Sequence, residues 1–278
     1  MENPFRSMSA AQKLLGIAII VLCLLFALSA IGTIFSGISH SASSETINAV
    51  PRATGTAATL AYKCASDETQ SAHDAAIADC TKAIALDSHF ALAYENRGYA
   101  YSSKGSYGLA LADLNQAIAL NPKDVRAYVW RGYVHNQQDD FDLAIADCTQ
   151  AIALNPKYAP AYAERGKAYS WKMDYDRANA DYTQAIELDP KDKVIYLNRG
   201  IVYSRKKDYD RAIDDYDQAL AIDSQYTLAY VDRGYAYFAQ GNCTQAQADF
   251  QQALNIQPDF LDTASGLTWV AGSTKCSK

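Results

Sequence analysis

Two residue types recur in this chain at a spacing that could do chemistry. Arg97, Arg131, Arg165, Arg199 and Arg233 stand 34 residues apart, and Lys63 falls one period earlier. Asp79, Asp113, Asp147, Asp181, Asp215 and Asp249 keep the same period. A bare row of guanidinium groups would hold an anion, whereas a row matched by carboxylates would form a ladder of ion pairs. The aspartates match the cations in number, which favours the ladder. An unpaired charge between packed helices is costly, while a paired one is tolerated and fixes register. The pairs are expected within a unit or between neighbours, partly buried.

Other catalytic patterns are missing. There is no HExxH, GxSxG, CxxC, phosphate-binding glycine loop or calcium-loop pattern. His40, His73, His89 and His135 are scattered without metal-ligand spacing. Asp139-Asp140 and Asp214-Asp215 look like paired carboxylates, but caps and solvated helix faces explain them more simply. The chain therefore reads as a non-enzyme with no cofactor and no metal.

The elements that position these residues emerge from composition and self-comparison. The 278 residues are 49% hydrophobic with a net charge of −6 and 20 tyrosines. That balance excludes disorder and argues against a nucleic-acid binder, which needs a basic face. AYENRGYAYSSKGSYGLALADLNQAIALNP begins at Ala93 and recurs at Ala127, Ala161, Ile195 and Ala229, always 34 residues on. Residues 73–88 match the second half of the unit. Tyr94, Gly98 and Tyr101 form an i, i+4, i+7 stripe, as do Ala110, Leu114 and Ala117, so each unit reads as two helices. Ser106, Asp140, Asp174, Asp208 and Asn242 are expected to cap the second helix. Pro122, Pro156, Pro190 and Pro258 end it. Gly98, Gly132, Gly166, Gly200 and Gly234 are expected to face small alanines.

On these positions the chain resembles the tetratricopeptide repeat family over residues 57–260. The resemblance implies an all-α solenoid of about six helix-turn-helix hairpins: a degenerate unit at 57–90, then 91–124, 125–158, 159–192, 193–226 and 227–260. A capping tail of 261–278 follows. Two departures from the family are tyrosine for tryptophan near each unit's start and arginine for leucine before each glycine.

Cys64 and Cys80 lie eight residues either side of Ala72, the turn of the incomplete first hairpin. Antiparallel helices would bring them face to face, in a disulfide that closes a loop of about 15 residues and is worth ~3 kcal/mol in the chain-entropy model. Cys243 and Cys276 are a second candidate pair, and Cys148 reads as a buried thiol.

Ahead of the repeats, the 22 residues from Leu14 to Phe35 carry no charge. As a helix they would span about 33 Å, enough for a bilayer. Residues 14–37 therefore read as a signal-anchor helix, with a cleaved signal peptide as the rival. Arg6 and Lys13 place residues 1–13 in the cytoplasm. Residues 38–56 form a tether, and the repeats are exported, most simply from a bacterial inner membrane into the periplasm.

A hairpin stack is expected to present its first helices along a concave groove. The off-core stripe begins Glu95, Tyr99 and Ser102 and continues through each unit. Its contact candidates are Tyr99, Trp130, Tyr133, Lys167, Trp171, Ile201, Tyr235 and Phe238. They suit an extended segment or helix of a partner protein. Glu95 and Glu164 stand where chaperone-tail binders of the family carry basic residues, which argues against that ligand. The expected role is a membrane-anchored scaffold or adaptor. The alternatives are an import or chaperone-type receptor with cytosolic repeats, or a regulatory subunit of another enzyme. Self-association through an end of the stack is a further option.

Overall fold

The computed structural model describes residues 70–260 and Gly266. The expected span at 14–37, the first helix of the leading unit, Lys63, Cys64 and Cys276 lie outside the described residues. No helix among the described residues is long and apolar enough to cross a membrane.

Eleven helices and no strands make up the described residues. α1 (Gln70–Leu86) is the second helix of the leading unit. Five hairpins follow: α2 (Ala91–Ser103) with α3 (Tyr107–Leu120), α4 (Val125–Gln137) with α5 (Phe141–Leu154), and α6 (Ala159–Trp171) with α7 (Tyr175–Leu188). α8 (Lys193–Arg205) with α9 (Tyr209–Ile222) and α10 (Thr227–Gln240) with α11 (Cys243–Ile256) complete the series. Each even-numbered helix packs on its own partner, on the odd-numbered helix before it and on the next even-numbered helix. No odd-numbered helix packs comparably on the next odd one. The even helices are thus the more closely spaced row, so the stack curves toward them.

Alanine and one larger residue per unit build the core. Ala110, Ala117, Ala144, Ala151, Ala178, Ala185, Ala212 and Ala219 are fully buried. The larger residue is Leu114, Cys148, Tyr182, Tyr216 or Phe250, and each sits over the glycine 16 positions earlier. A Cβ on Gly200 would come within 2.6 Å of Tyr216 Cε1, and one on Gly98 within 2.8 Å of Leu114 Cγ. This corrects the expectation that the glycines face small alanines. They make room for the buried residue 16 positions on in the second helix, and in three units an alanine carbonyl lies beside it, as with Ala110 O, 3.3 Å from the Cβ position of Gly98. Cys148 is buried and free, and burial pushes its thiol well up.

The turn inside each hairpin is a left-handed cap. Gly105, Asp139, Met173, Lys207 and Gly241 have φ of 72°, 62°, 60°, 62° and 87°. The next N–H donates back across the turn, for example Asp174 N to Tyr169 O at 2.9 Å. The expected N-cap residues all occupy the cap position, but the side chain caps in only two of five. Asp174 accepts from Arg177 N and Asp208 from Arg211 N, whereas Ser106, Asp140 and Asn242 make no such bond. In the other three the back-bonded turn fixes the helix start without a side-chain acceptor. Asp124 and Asp192, which the periodicity passed over, do cap α4 and α8.

Candidate partner-binding groove

The arginine of each even helix reaches two odd helices. Arg97 Nε and Nη2 donate to Asp113 at 2.7 and 2.8 Å, the parallel fork that guanidinium and carboxylate favour. The same two-pronged contact joins Arg131 to Asp147, Arg165 to Asp181, Arg199 to Asp215 and Arg233 to Asp249. All five pairs lie within one unit. The remaining Nη1 turns to the preceding unit and finds Thr81, Asn115, Thr149, Thr183 or Asp217. That second partner was in the sequence as a polar residue 16 positions before each arginine, in phase at every unit. Tyr94, Tyr128, Tyr162, Tyr196 and Tyr230 lie with ring centroids 5.4–6.0 Å from the guanidinium carbon. With Nε, Nη1 and Nη2 all engaged, the arginines form structural joints and leave no free fork for an anion.

The stripe along the even helices is less exposed than its periodicity suggested. Glu95, Ser102, Val129, Trp130, Asn136, Lys167, Ser170, Leu197 and Val231 are buried. The close approach of successive even helices covers the position that an isolated helix would leave open. This corrects the expectation of an exposed Trp130 and an off-core Lys167. Tyr99, Tyr133, Trp171, Ile201, Tyr235 and Phe238 remain half-buried.

Tyr99 and Tyr133 come together around Trp130 in the first half of the stack. Trp130 is packed between Tyr99, at 4.3 Å between ring centroids, and Tyr133, at 6.0 Å. Lys167 Nζ lies 5.4 Å from the Tyr133 ring centroid, and burial lowers its pKa. Asn136 Nδ2 donates to Glu164 Oε2 at 2.9 Å, which ties α4 to α6. Glu95 Oε1 lies 2.9 Å from Arg126 Nε without the alignment of a hydrogen bond. Burial pushes the Glu95 carboxyl up to about 8 against the pull of Arg126. Trp171 stands apart at the turn end of α6, stacked parallel on Phe141 with centroids 6.2 Å apart. In the last unit Tyr235 meets Phe250 edge-on at 5.0 Å, Phe238 joins the same cluster, and Ile201 packs on the preceding one. Glu95, Glu164 and Lys167 are buried on this face, so what it offers a ligand is chiefly aromatic surface.

Profiles of the tetratricopeptide repeat match residues 96–159, 159–192, 194–226 and 228–260. No curated protein sequence matches the chain. Among solved structures it is similar to the APC/C hetero-tetramer Cut9-Hcn1, at TM-score 0.70 and 20% identity, over 77% of this chain and 43% of that one. It thus spans less than half of that chain. It is also similar to a tetratricopeptide repeat protein from Parabacteroides merdae, at TM-score 0.61 and 22% identity over 77% and 84% of the two chains. A third is YrrB, a repeat protein with an unusual peptide-binding site, at TM-score 0.53 and 21% identity over 68% and 97%. At these identities the likeness is one of fold. The repeat profiles, the uninterrupted period and the eleven helices together place the chain in the tetratricopeptide repeat family.

Proposed function

We propose that this chain is a non-catalytic scaffold or adaptor that recruits a partner protein along the face formed by its even-numbered helices. The observation that carries the reading is the aromatic run Tyr99–Trp130–Tyr133, continued by Lys167, on a face where Glu95, Glu164 and Lys167 are buried. Such a surface suits an extended or helical segment anchored by apolar side chains. Proteins of this family bind other proteins, and the similarity to peptide-binding YrrB is consistent with that use.

The rest of the reading concerns location. Residues 14–37 anchor the chain in a membrane with residues 1–13 in the cytoplasm, and the repeats face an exported, oxidising compartment. There Cys64–Cys80 and Cys243–Cys276 would close as disulfides that staple the two ends of the stack. Thiol labelling of intact cells tests this: reactive Cys64 and Cys80 would point to a cytosolic receptor instead.

A photoreactive residue placed at Tyr99 or Tyr235 in the full chain tests the groove. The expected result is a discrete crosslinked protein, identified by mass spectrometry, whose capture falls at least tenfold with Tyr133→Ala. Capture of lipid alone, or of further copies of this chain alone, would refute the reading.

A further inference from the structure

Besides the arginine's reach, a second tie joins successive units at their turn ends. The residue at the end of an even-numbered helix meets the start of the odd-numbered helix before it, 30 positions back. Lys104 holds Asp74, Lys172 holds Asp142 at 2.5 Å, Lys206 holds Asp176 at 2.5 Å, and Gln240 donates to Asp210 at 2.6 Å. The seam between α3 and α4 is the exception. Gln138 stands in the place of those donors, but Gly108 replaces the aspartate and offers no side-chain acceptor.

The same seam carries a buried cluster that the other units lack, since the equivalents of Glu95 are Val129, Ala163, Leu197 and Val231. Glu95 on α2 is 2% exposed. Its carboxyl group is hydrogen-bonded to Asp124, which caps α4 by accepting from Arg126 N at 3.1 Å and Ala127 N at 3.2 Å. One of two hydrogen-bonded carboxyl groups must carry a proton, and burial pushes Glu95 up to about 8, so Glu95 is the donor. Arg126 faces both groups, with Tyr99 and Tyr158 around it. Of the other elements packed on α2, α1 sets His73 against the ring of Tyr99, and α3 supplies the Asp113 that Arg97 takes.

This cluster and the aromatic run are consecutive rungs of one helix contact. Tyr99 lies one turn after Glu95 on α2, Trp130 lies one turn after Arg126 on α4, and their rings meet at 4.3 Å. Loss of the proton to solvent leaves two buried carboxylates against one guanidinium, a charge without its own partner. With no tie at the turn end, the seam then relies on Arg131 bonded to Asn115 and on apolar packing.

We propose that the proton between Glu95 and Asp124 is a latch on the aromatic face, an inference that rests on reading that face as the partner site. With the proton in place, α2 and α4 stay together, and Tyr99, Trp130 and Tyr133 form the surface that the partner meets. Its loss in mildly alkaline conditions parts the seam, opens the ring contact and weakens the hold on the partner.

The test uses the full chain in detergent micelles at pH 6.5 and pH 9, with Trp171→Phe and Trp269→Phe so that Trp130 is the only tryptophan. Acrylamide quenching of Trp130 is expected to rise at least twofold at pH 9. Glu95→Gln keeps a donor for Asp124 and cannot ionise, so it should hold the low value at both. Gly108→Asp gives Gln138 the acceptor that Gln240 finds in Asp210 and should at least halve the rise. A Cβ at Gly108 meets nothing within 4 Å, so the site accepts the change. Equal quenching at the two pH values, a rise that Glu95→Gln leaves intact, or loss of helical circular dichroism at pH 9 would overturn the proposal. Protein capture from a photoreactive residue at Tyr235 should fall at pH 9 in the native chain and not in Glu95→Gln. Capture that ignores pH while quenching rises would also overturn it. No capture at either pH would refute the groove instead, and the quenching would still decide the latch.

Discussion

Arg165 grips Asp181 with two parallel hydrogen bonds and Thr149 of the preceding unit with a third. Removing it leaves the carboxylate of Asp181, 6% exposed, without its counter-charge. Arg165→Ala is therefore expected to lower stability by about 3 kcal/mol, read from the urea midpoint. Thr149→Val should cost about 1 kcal/mol, the loss of one hydrogen bond. Glu95 makes a pH prediction. Its folded pKa of about 8 lies above its ordinary value of 4.5, so the folded chain holds a proton that the unfolded chain releases between those values. Its contribution to stability is full below pH 4.5 and is lost as pH rises through 8. The melting temperature of Glu95→Gln, measured against the native chain, should gain steadily across that window. An unchanged difference between pH 5 and pH 8 would count against the assignment. The Arg–Asp pairing was legible as two interleaved periods. The Glu95–Arg126 contact was not, because it occurs once and no repetition marks it.

At the scale of the element, the hairpin turn sets where one helix stops and the next begins. Its left-handed residue is glycine at Gly105 and Gly241 but Asp139, Met173 and Lys207 in the middle units. A side chain at positive φ costs roughly 1–2 kcal/mol, partly offset by the flexibility that glycine returns to the unfolded chain. Met173→Gly is expected to stabilise the protein by about 0.5 to 1 kcal/mol, seen as a raised melting temperature. Ala at Gly105 should do the opposite. Periodicity located all of these helices, because Tyr94, Gly98 and Tyr101 and their equivalents print a 3.6-residue stripe in every unit. It misjudged what their surfaces do. Glu95 and Trp130 fall outside the strongest stripe and read as exposed, yet both are buried, Glu95 beside Arg126 of the next even helix and Trp130 against Tyr99 of the preceding one. A helical wheel knows one helix, and burial here is decided by its neighbour.

For the stack as a whole, stability comes from units and from the seams between them. Every seam from α1 to α11 repeats an arginine's reach to the residue 16 positions back, so seams are near-equivalent joints. Tyrosine abundance belongs to this scale too. Most of the 20 tyrosines serve the repeated core or flank the arginines, and Tyr99, Tyr133 and Tyr235 are left for the groove. The candidate site was legible as a row of positions, whereas the groove's division into buried and accessible residues was not. A duplication of residues 159–192 within the chain should fold with a melting temperature equal to or above the native one, measured by circular dichroism.

The arginine with one hand on its own unit and the other on the unit before has a further meaning. Each added period arrives carrying half of its joint and finds the other half waiting on the chain already there. Such a protein can grow or shrink in evolution by whole periods, through copying errors that would ruin a fold whose parts fit only one neighbour. Its length, and with it the reach of its binding face, is open to inheritance in steps.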